Sequence, residues 1–308
     1  MKSIFKLIAV AFLLTSYAAS AQNYVFKVLA NKGSNSYKTN TAEWKPLKTG
    51  QTLNAGDELK LSDASYIGLM HKSGKTLEIK SEGTHKINDL ATNLKNNNSS
   101  VASKYADFVI NKMTDSGDES DYRKSLGATG AVTRAIGAGA VIKIMAQSSS
   151  AILNDQVVIR WNEPEQEGEK DQLEYVLTFS NLFDEEIKKE STQKTSYLLD
   201  MTKEPFASME NKFVKVKVSV EGNDLVSEEY AITTKPKSES AELKATLAQL
   251  KGENQDMTAL DHIVLAAFYE EHGLLLDALT AYEKAIEMAP KVDIYEKAYA
   301  DFLQRNEF

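Results

Sequence analysis

The sequence predicts a multi-domain chain: a small all-β module, then a larger antiparallel β-sandwich, then a short all-α region. Three observations carry that prediction. Between residues 22 and 95, short runs of alternating apolar residues are separated by Gly- and Asn-rich turns. Between 140 and 235, short β-branched or aromatic runs recur at regular spacing with Trp161 early among them. After 236 the apolar period lengthens to three or four residues, the signature of helices.

Residues 1–21 stand outside this scheme. Lys2 and Lys6 precede an apolar stretch from about Leu7 to Leu14, and Ala19, Ser20 and Ala21 form a small-x-small cleavage signature before Gln22. This is the arrangement of a secretory signal peptide. Its apolar core is short for a bilayer about 30 Å thick, which takes roughly 20 apolar residues to cross. The mature chain is expected to be exported, to the periplasm or beyond it. Residues 127–147 come closest to a later span, but Arg134 and Lys143 interrupt them and glycines break the helix. No membrane span is therefore expected after cleavage. The chain contains no cysteine, which excludes a lipid-anchored leader, disulfides, a thiol nucleophile and a thiolate metal site. It carries 36 Lys and Arg against 44 Asp and Glu, a net −8, and the leader would remove two further lysines. Such an acidic chain gains nothing electrostatically from a polyphosphate backbone, so nucleic acid is not expected as a partner.

In the first module (22–95), Tyr24, Phe26 and Val28 alternate as a strand. A turn-rich stretch from Asn31 to Thr41 leads to Trp44, Lys45, Pro46 and Leu47, then Gly50, Leu53, Gly56, Asp57 and Leu59. Ile67, Leu69 and His71 fall on one face of a strand, and Leu77 and Ile79 on one face of the next. Lys72 to Lys75 lies between them, with Gly74 supplying the positive φ of a hairpin turn. The run from Trp44 through Gly50 and Gly56-Asp57 to this hairpin resembles the periplasmic β domain of FecR-type proteins over some 70 residues. In that family the domain belongs to a signal relay with a transmembrane anchor. This chain would have no anchor after cleavage, so the resemblance implies the β domain alone.

Residues 96–139 are expected to be a helix plus a linker. Val101, Tyr105, Phe108, Val109 and Met113 recur at helical spacing, Asp115 to Ser125 is polar and acidic, and 127–139 is rich in Gly and Ala. In the sandwich region (140–235), strands are expected at Val141–Met145, Val157–Trp161, Tyr175–Phe179, Thr195–Leu199, Phe213–Val220 and Tyr230–Ile232. Trp161, Pro164, Tyr175, the run Thr195 to Leu198 and the Val-x-Val strand resemble a fibronectin type III domain, itself an Ig-like sandwich.

Pro236 to Ser240 is expected to be a polar linker, with helices at 242–250 and 293–304 flanking a helical pair. Leu265, Ala266, Tyr269, Gly273, Ala278, Tyr282, Ala285 and Pro290 stand at the spacings of a tetratricopeptide repeat. Ala266 and Ala278 are small where the two helices would cross. Tyr269 and Tyr282 would fill the space between helices, Gly273 would end the first helix and Pro290 stop the second. His262 stands where the family often has Trp. About three repeats are usually needed for independent stability, so this one needs the flanking helices, or a partner, to cover it. The resemblance implies binding to a protein or peptide.

Little else points to chemistry. His262 and His272 are ten residues apart on helical sequence, about 15 Å at 1.5 Å per residue, too far to share a metal. His71 and His85 have no carboxylate motif beside them. The acidic clusters Glu163–Asp171 and Asp115–Asp121 lack the placed glycine of a calcium loop. No nucleophile elbow, P-loop or zinc-protease helix is present. No catalytic residue, cofactor or metal is assigned. The expected function is non-catalytic: a cell-envelope protein that binds a protein partner through its C-terminal repeat. Glycan or wall binding through the sandwich loops or Trp44 is the alternative, although a Trp in this setting is more often core. A FecR-related sensor component is the third reading.

Overall fold

A computed structural model of the chain describes residues 24–39, 42–92, 94, 105, 109, 142–164, 172–209, 212–251 and 257–308. The expected leader (1–21), the linker 115–125, the run 127–139 and the acidic loop beyond Pro164 lie outside these residues.

The first module packs two four-stranded sheets face to face. The strands are β1 (Phe26–Lys32), β2 (Ser36–Lys38), β3 (Lys45–Pro46), β4 (Thr52–Leu53), β5 (Glu58–Leu61), β6 (Tyr66–His71), β7 (Thr76–Ile79) and β8 (Gly83–Lys86), followed by α1 (Ile87–Thr92). One sheet runs β4-β1-β6-β7 and the other β3-β2-β5-β8. Phe26, Val28, Leu53, Leu59, Leu61, Ile67, Leu69 and Ile79 fill the space between them. The stretch expected to be all turn holds β2, and β8 was not anticipated. Both are short and polar on their outer face, which hides the period. Trp44, expected in the core, is 39% exposed, with Lys38 Nζ 5.0 Å from its ring centroid.

The second module is an immunoglobulin-like sandwich. Its strands are β9 (Ser149–Ile152), β10 (Gln156–Arg160), β11 (Tyr175–Ser180), β12 (Glu186–Thr192), β13 (Ser196–Asp200), β14 (Phe213–Val220) and β15 (Tyr230–Thr234). One sheet has the order β12-β11-β14-β15-β9 and the other pairs β10 with β13. β9 runs parallel to β15, and the other pairings are antiparallel. Trp161 is 1% exposed and meets Tyr175 edge-on at 5.4 Å. Along β14 the valines are buried while Lys215, Lys217 and Ser219 turn outward, the alternation of a half-buried strand. Of the expected strand at 141–145, Val141 lies outside the described residues and 142–145 form a single bridge, from Ile144 to Trp161; the pairing passes to β9. β12 was not anticipated, because Lys and Glu dominate it and, among the described residues, it pairs only with β11.

The C-terminal region consists of α2 (Lys237–Lys251), α3 (Ala259–Glu271), α4 (Leu275–Met288) and α5 (Asp293–Arg305). The expected linker at 236–240 is already helical from Lys237. Thr258 and Asp261 cap α3 reciprocally, satisfying two of the orphan N–H groups at its start. Gly273, at φ +66°, ends α3 in the left-handed conformation that costs a side chain strain. α3 and α4 form an antiparallel pair, and α5 stacks on α4 through Tyr282, Tyr299 and Phe302.

Nine of the thirteen residues of α3 are buried, too many for one amphipathic stripe. A helix buried all round is enclosed by other elements. Here the enclosing elements are the two β modules. Leu29, Ala30, Tyr66 and Met70 of β1 and β6 join the helical core, while Leu276 of α4 enters the core of the sandwich. Tyr105 and Val109, the described part of the expected helix at 98–113, are helical and buried in the same core. Tyr105 packs edge-on against Phe268 at 5.4 Å.

Candidate functional site

The joints between modules are polar as well as apolar. On the first module, the Tyr66 hydroxyl donates to Glu78 at 2.6 Å and shares a 2.7 Å hydrogen bond with the Tyr295 hydroxyl. Glu78 also accepts from the Leu260 N–H at 3.0 Å, in the first turn of α3 where a helix favours negative charge. Burial pushes both tyrosines well above their ordinary values, so they stay protonated. Gly68 allows this approach. A Cβ there would lie 3.2 Å from both Ala30 Cβ and Leu260 Cδ2, and 3.3 Å from the Tyr295 oxygen.

On the sandwich side, α4 presents Asp277, Thr280 and Glu283 along one face. Asp277 is 1% exposed and accepts from the Leu153 N–H at 2.9 Å, the Asn154 N–H at 2.9 Å and the Asn154 side chain at 2.6 Å. Burial pushes its carboxyl up to about 6, against the N–H donors that favour the charged form. Thr280 accepts from the Val158 N–H at 2.8 Å. Glu283 forms a two-pronged pair with Arg160, through Nε and, at 3.0 Å, through Nη2. It also accepts from the Tyr299 hydroxyl at 2.8 Å.

Beside this joint a cleft of about 1040 Å³ stays open between the outer face of the β10–β13 sheet and the α3–α4 pair. Val158 and Leu198 face it from the sandwich, and Leu265, Tyr269 and Ile286 from the helices. Lys194, Lys251 and His262 stand at its walls. Leu198 is 53% exposed, unusual for a leucine in mid-strand. Most cleft charges are already paired: Arg160 with Glu283, Lys284 with Glu287 at 2.8 Å, and Asp155 with Lys212 at 3.9 Å. Lys194 and Lys251 have no carboxylate partner among the described residues. Burial first, then Lys284 and Lys251, lower the His262 pKa against the opposing pull of Asp261.

The repeat-motif residues divide. Leu265, Ala266, Tyr269, Ala278, Tyr282 and Ala285 are all buried, whereas Gly273 and Pro290 are exposed at turns. Ala266 and Ala278 are both fully buried in the helical core. Tyr282 lies between α4 and α5 and donates to Glu270 at 2.7 Å. Tyr269 is buried in the helical core, and its hydroxyl accepts from the Asn154 side chain at 2.8 Å, at the sandwich joint. Only Leu265 and Tyr269 of the motif reach the cleft. The histidines are not brought together. His71 bonds Ser73, His85 bonds the Ser81 carbonyl, and His272 caps α3 beside Tyr105.

Asp277, Thr280, Glu283, Arg160 and Leu198 were not singled out in the sequence. One signal was present: Tyr197-Leu198-Leu199 breaks the apolar–polar alternation, placing an apolar side chain on the outer face.

No family model matches the chain, and no curated protein matches it. Among solved structures, the FN1-FN3 domains of chicken CNTN1 match at 11% identity and a TM-score of 0.23, over 70% of this chain. The match covers 58% of the length of that structure. A likeness of that size adds nothing to the strand order described above.

Proposed function

We propose that this chain is a non-catalytic, exported cell-envelope protein that mediates protein–protein interaction, and that the partner docks in the cleft beside the helical pair. On this reading the modules are a FecR-like β domain, a fibronectin type III-like sandwich and a tetratricopeptide-like helical region. The strand order of the second module supports the second of these assignments, and the Gly273-punctuated helical pair the third. The carrying observation is the cleft with exposed Leu198 on one wall and Leu265 and Tyr269 on the other. Of the rest of the repeat motif, Ala266, Ala278, Tyr282 and Ala285 are buried within the chain. Truncation before α2 would expose both module joints, so point variants make the better test. The full chain, Leu198→Asp and the control Phe183→Asp, at an exposed turn outside the cleft lining, are used to capture proteins from envelope extract. A protein held by wild type and Phe183→Asp but lost by Leu198→Asp supports docking in the cleft. Equal recovery by all three removes the cleft from the account.

A second reading, glycan binding, is favoured by Trp44, which is exposed with Lys38 over its ring. It predicts cell-wall retention that Trp44→Ala abolishes and Leu198→Asp leaves intact.

A further inference from the structure

The backbone of β13 indicates how a partner would be held, if the cleft is the docking surface. The Trp161 N–H donates to the Thr195 carbonyl at 3.1 Å, and the Met201 N–H to the Asp155 carbonyl at 2.7 Å. With the register Val158↔Leu198, the odd-numbered residues 195–201 exchange bonds with β10. The backbone groups of Ser196, Leu198 and Asp200 therefore point away from it. The Lys203 N–H takes the Asp200 carbonyl at 3.3 Å. Both groups of Ser196 and of Leu198 and the N–H of Asp200 remain, because β13 has no second strand neighbour among the described residues.

The opposite edge of this sheet is partly engaged by α4 and by the segment before β9. Val158 N–H bonds Thr280 and the Arg160 carbonyl accepts from the Met145 N–H at 2.7 Å. Unpaired edge groups are a template for another strand, and the β13 edge borders the cleft at Lys194, Ser196, Leu198 and Thr202. Strand addition takes affinity from main-chain bonds and specificity from alternate side chains. Here the apolar contact on offer is Leu198 with Val158. Among the described residues, the cleft charges without a carboxylate partner are Lys194 and Lys251, both cationic in a chain that is net −8.

We propose that the cleft takes an extended, acidic peptide segment that adds as a third strand along the free edge of β13. Apolar residues of the segment would lie on Leu198, and carboxylates would reach Lys194 and Lys251.

The test uses the whole chain and labelled eight-residue peptides, followed by fluorescence anisotropy. One peptide alternates Val with Asp and another Val with Lys. Two further Val–Asp peptides are N-methylated, one at every Val and one at every Asp. The Val–Asp peptide is expected to bind at least about tenfold more tightly than Val–Lys, and Lys194→Glu with Lys251→Glu to reverse that order. One of the two methylated peptides must lose binding, since one set of alternate N–H groups faces β13. Amide exchange at Ser196, Leu198 and Asp200 should slow in the complex. Equal affinity for the two charge types, undiminished binding of both methylated peptides, or no saturation below about 1 mM overturns the proposal. If Leu198→Asp abolishes capture while both methylated peptides still bind, the cleft still docks a protein and strand addition alone fails. If Leu198→Asp captures as wild type does, the docking reading itself fails and takes this inference with it.

Discussion

Replacing Glu283 by Ala removes the acceptor through which α4 holds β10 and α5 at once. Three donors lose it: Arg160 Nε, Arg160 Nη2 and the Tyr299 hydroxyl. Breaking a fully buried ion pair costs about 3–5 kcal/mol, whereas an exposed pair is worth about 0–1 kcal/mol. The Arg160 and Glu283 side chains are 29% and 17% exposed, so this pair belongs between those limits. The freed guanidinium can turn into the cleft and recover part of its hydration. A coupling of about 1.5–2.5 kcal/mol follows for the Arg160–Glu283 pair. The Tyr299 side chain, partly buried and lining the same cleft, loses its acceptor as well, adding about 1 kcal/mol to Glu283→Ala. The assay is a double-mutant cycle of Arg160→Ala and Glu283→Ala by urea unfolding, followed by tryptophan fluorescence for the β modules, which hold Trp44 and Trp161, and by far-UV circular dichroism for the helices. Glu283→Ala should cost about 3 kcal/mol, Arg160→Ala about 2 kcal/mol, and the double variant clearly less than their sum. A coupling below about 0.5 kcal/mol, or separate unfolding of sandwich and helices, would refute the picture of helices built into the sandwich.

Two more outcomes are expected at the joints. Gly68→Val pushes a branched side chain into space that a single Cβ already fills, against Ala30, Leu260 and Tyr295. It should lower stability by about 1–3 kcal/mol; an unfolding midpoint equal to wild type would contradict the close approach of β6 to α3 and α5. Asp277 has its folded-state pKa raised to about 6 from 3.8. Its contribution is therefore fully present below about 4 and lost as pH rises through 6. The stability of wild type relative to Asp277→Asn should fall by roughly 2–4 kcal/mol between pH 4 and pH 8, and a pH-independent difference would rule this out.

The internal order of each module was largely legible in the sequence, and the way the modules meet was not. Alternation along β14, Gly74 in its hairpin and the Ala–Gly–Ala punctuation of α3 and α4 each express a local preference that survives in the fold. β2, β8, β9 and β12 escaped because short or charged strands carry no period of their own and depend on a neighbour's hydrogen bonds. The joints left fainter traces. Tyr66 to Met70 is an unbroken apolar run, as expected of a strand buried on both faces, and Leu198 breaks the alternation of β13. Asp277, Thr280 and Glu283 form a polar stripe on α4 that sequence alone assigns to solvent. Only the position of the sandwich turns that stripe into an interface. Six of the eight residues of the repeat motif are buried in the chain's own architecture, and the cleft beside them stays open.

The most direct test of that claim is site-specific photo-crosslinking in cells, with a photoreactive phenylalanine at position 198 and, as control, at position 183. The account predicts a discrete crosslinked protein from position 198 that is absent from position 183. A silent position 198, or the same product from both, would contradict docking in the cleft.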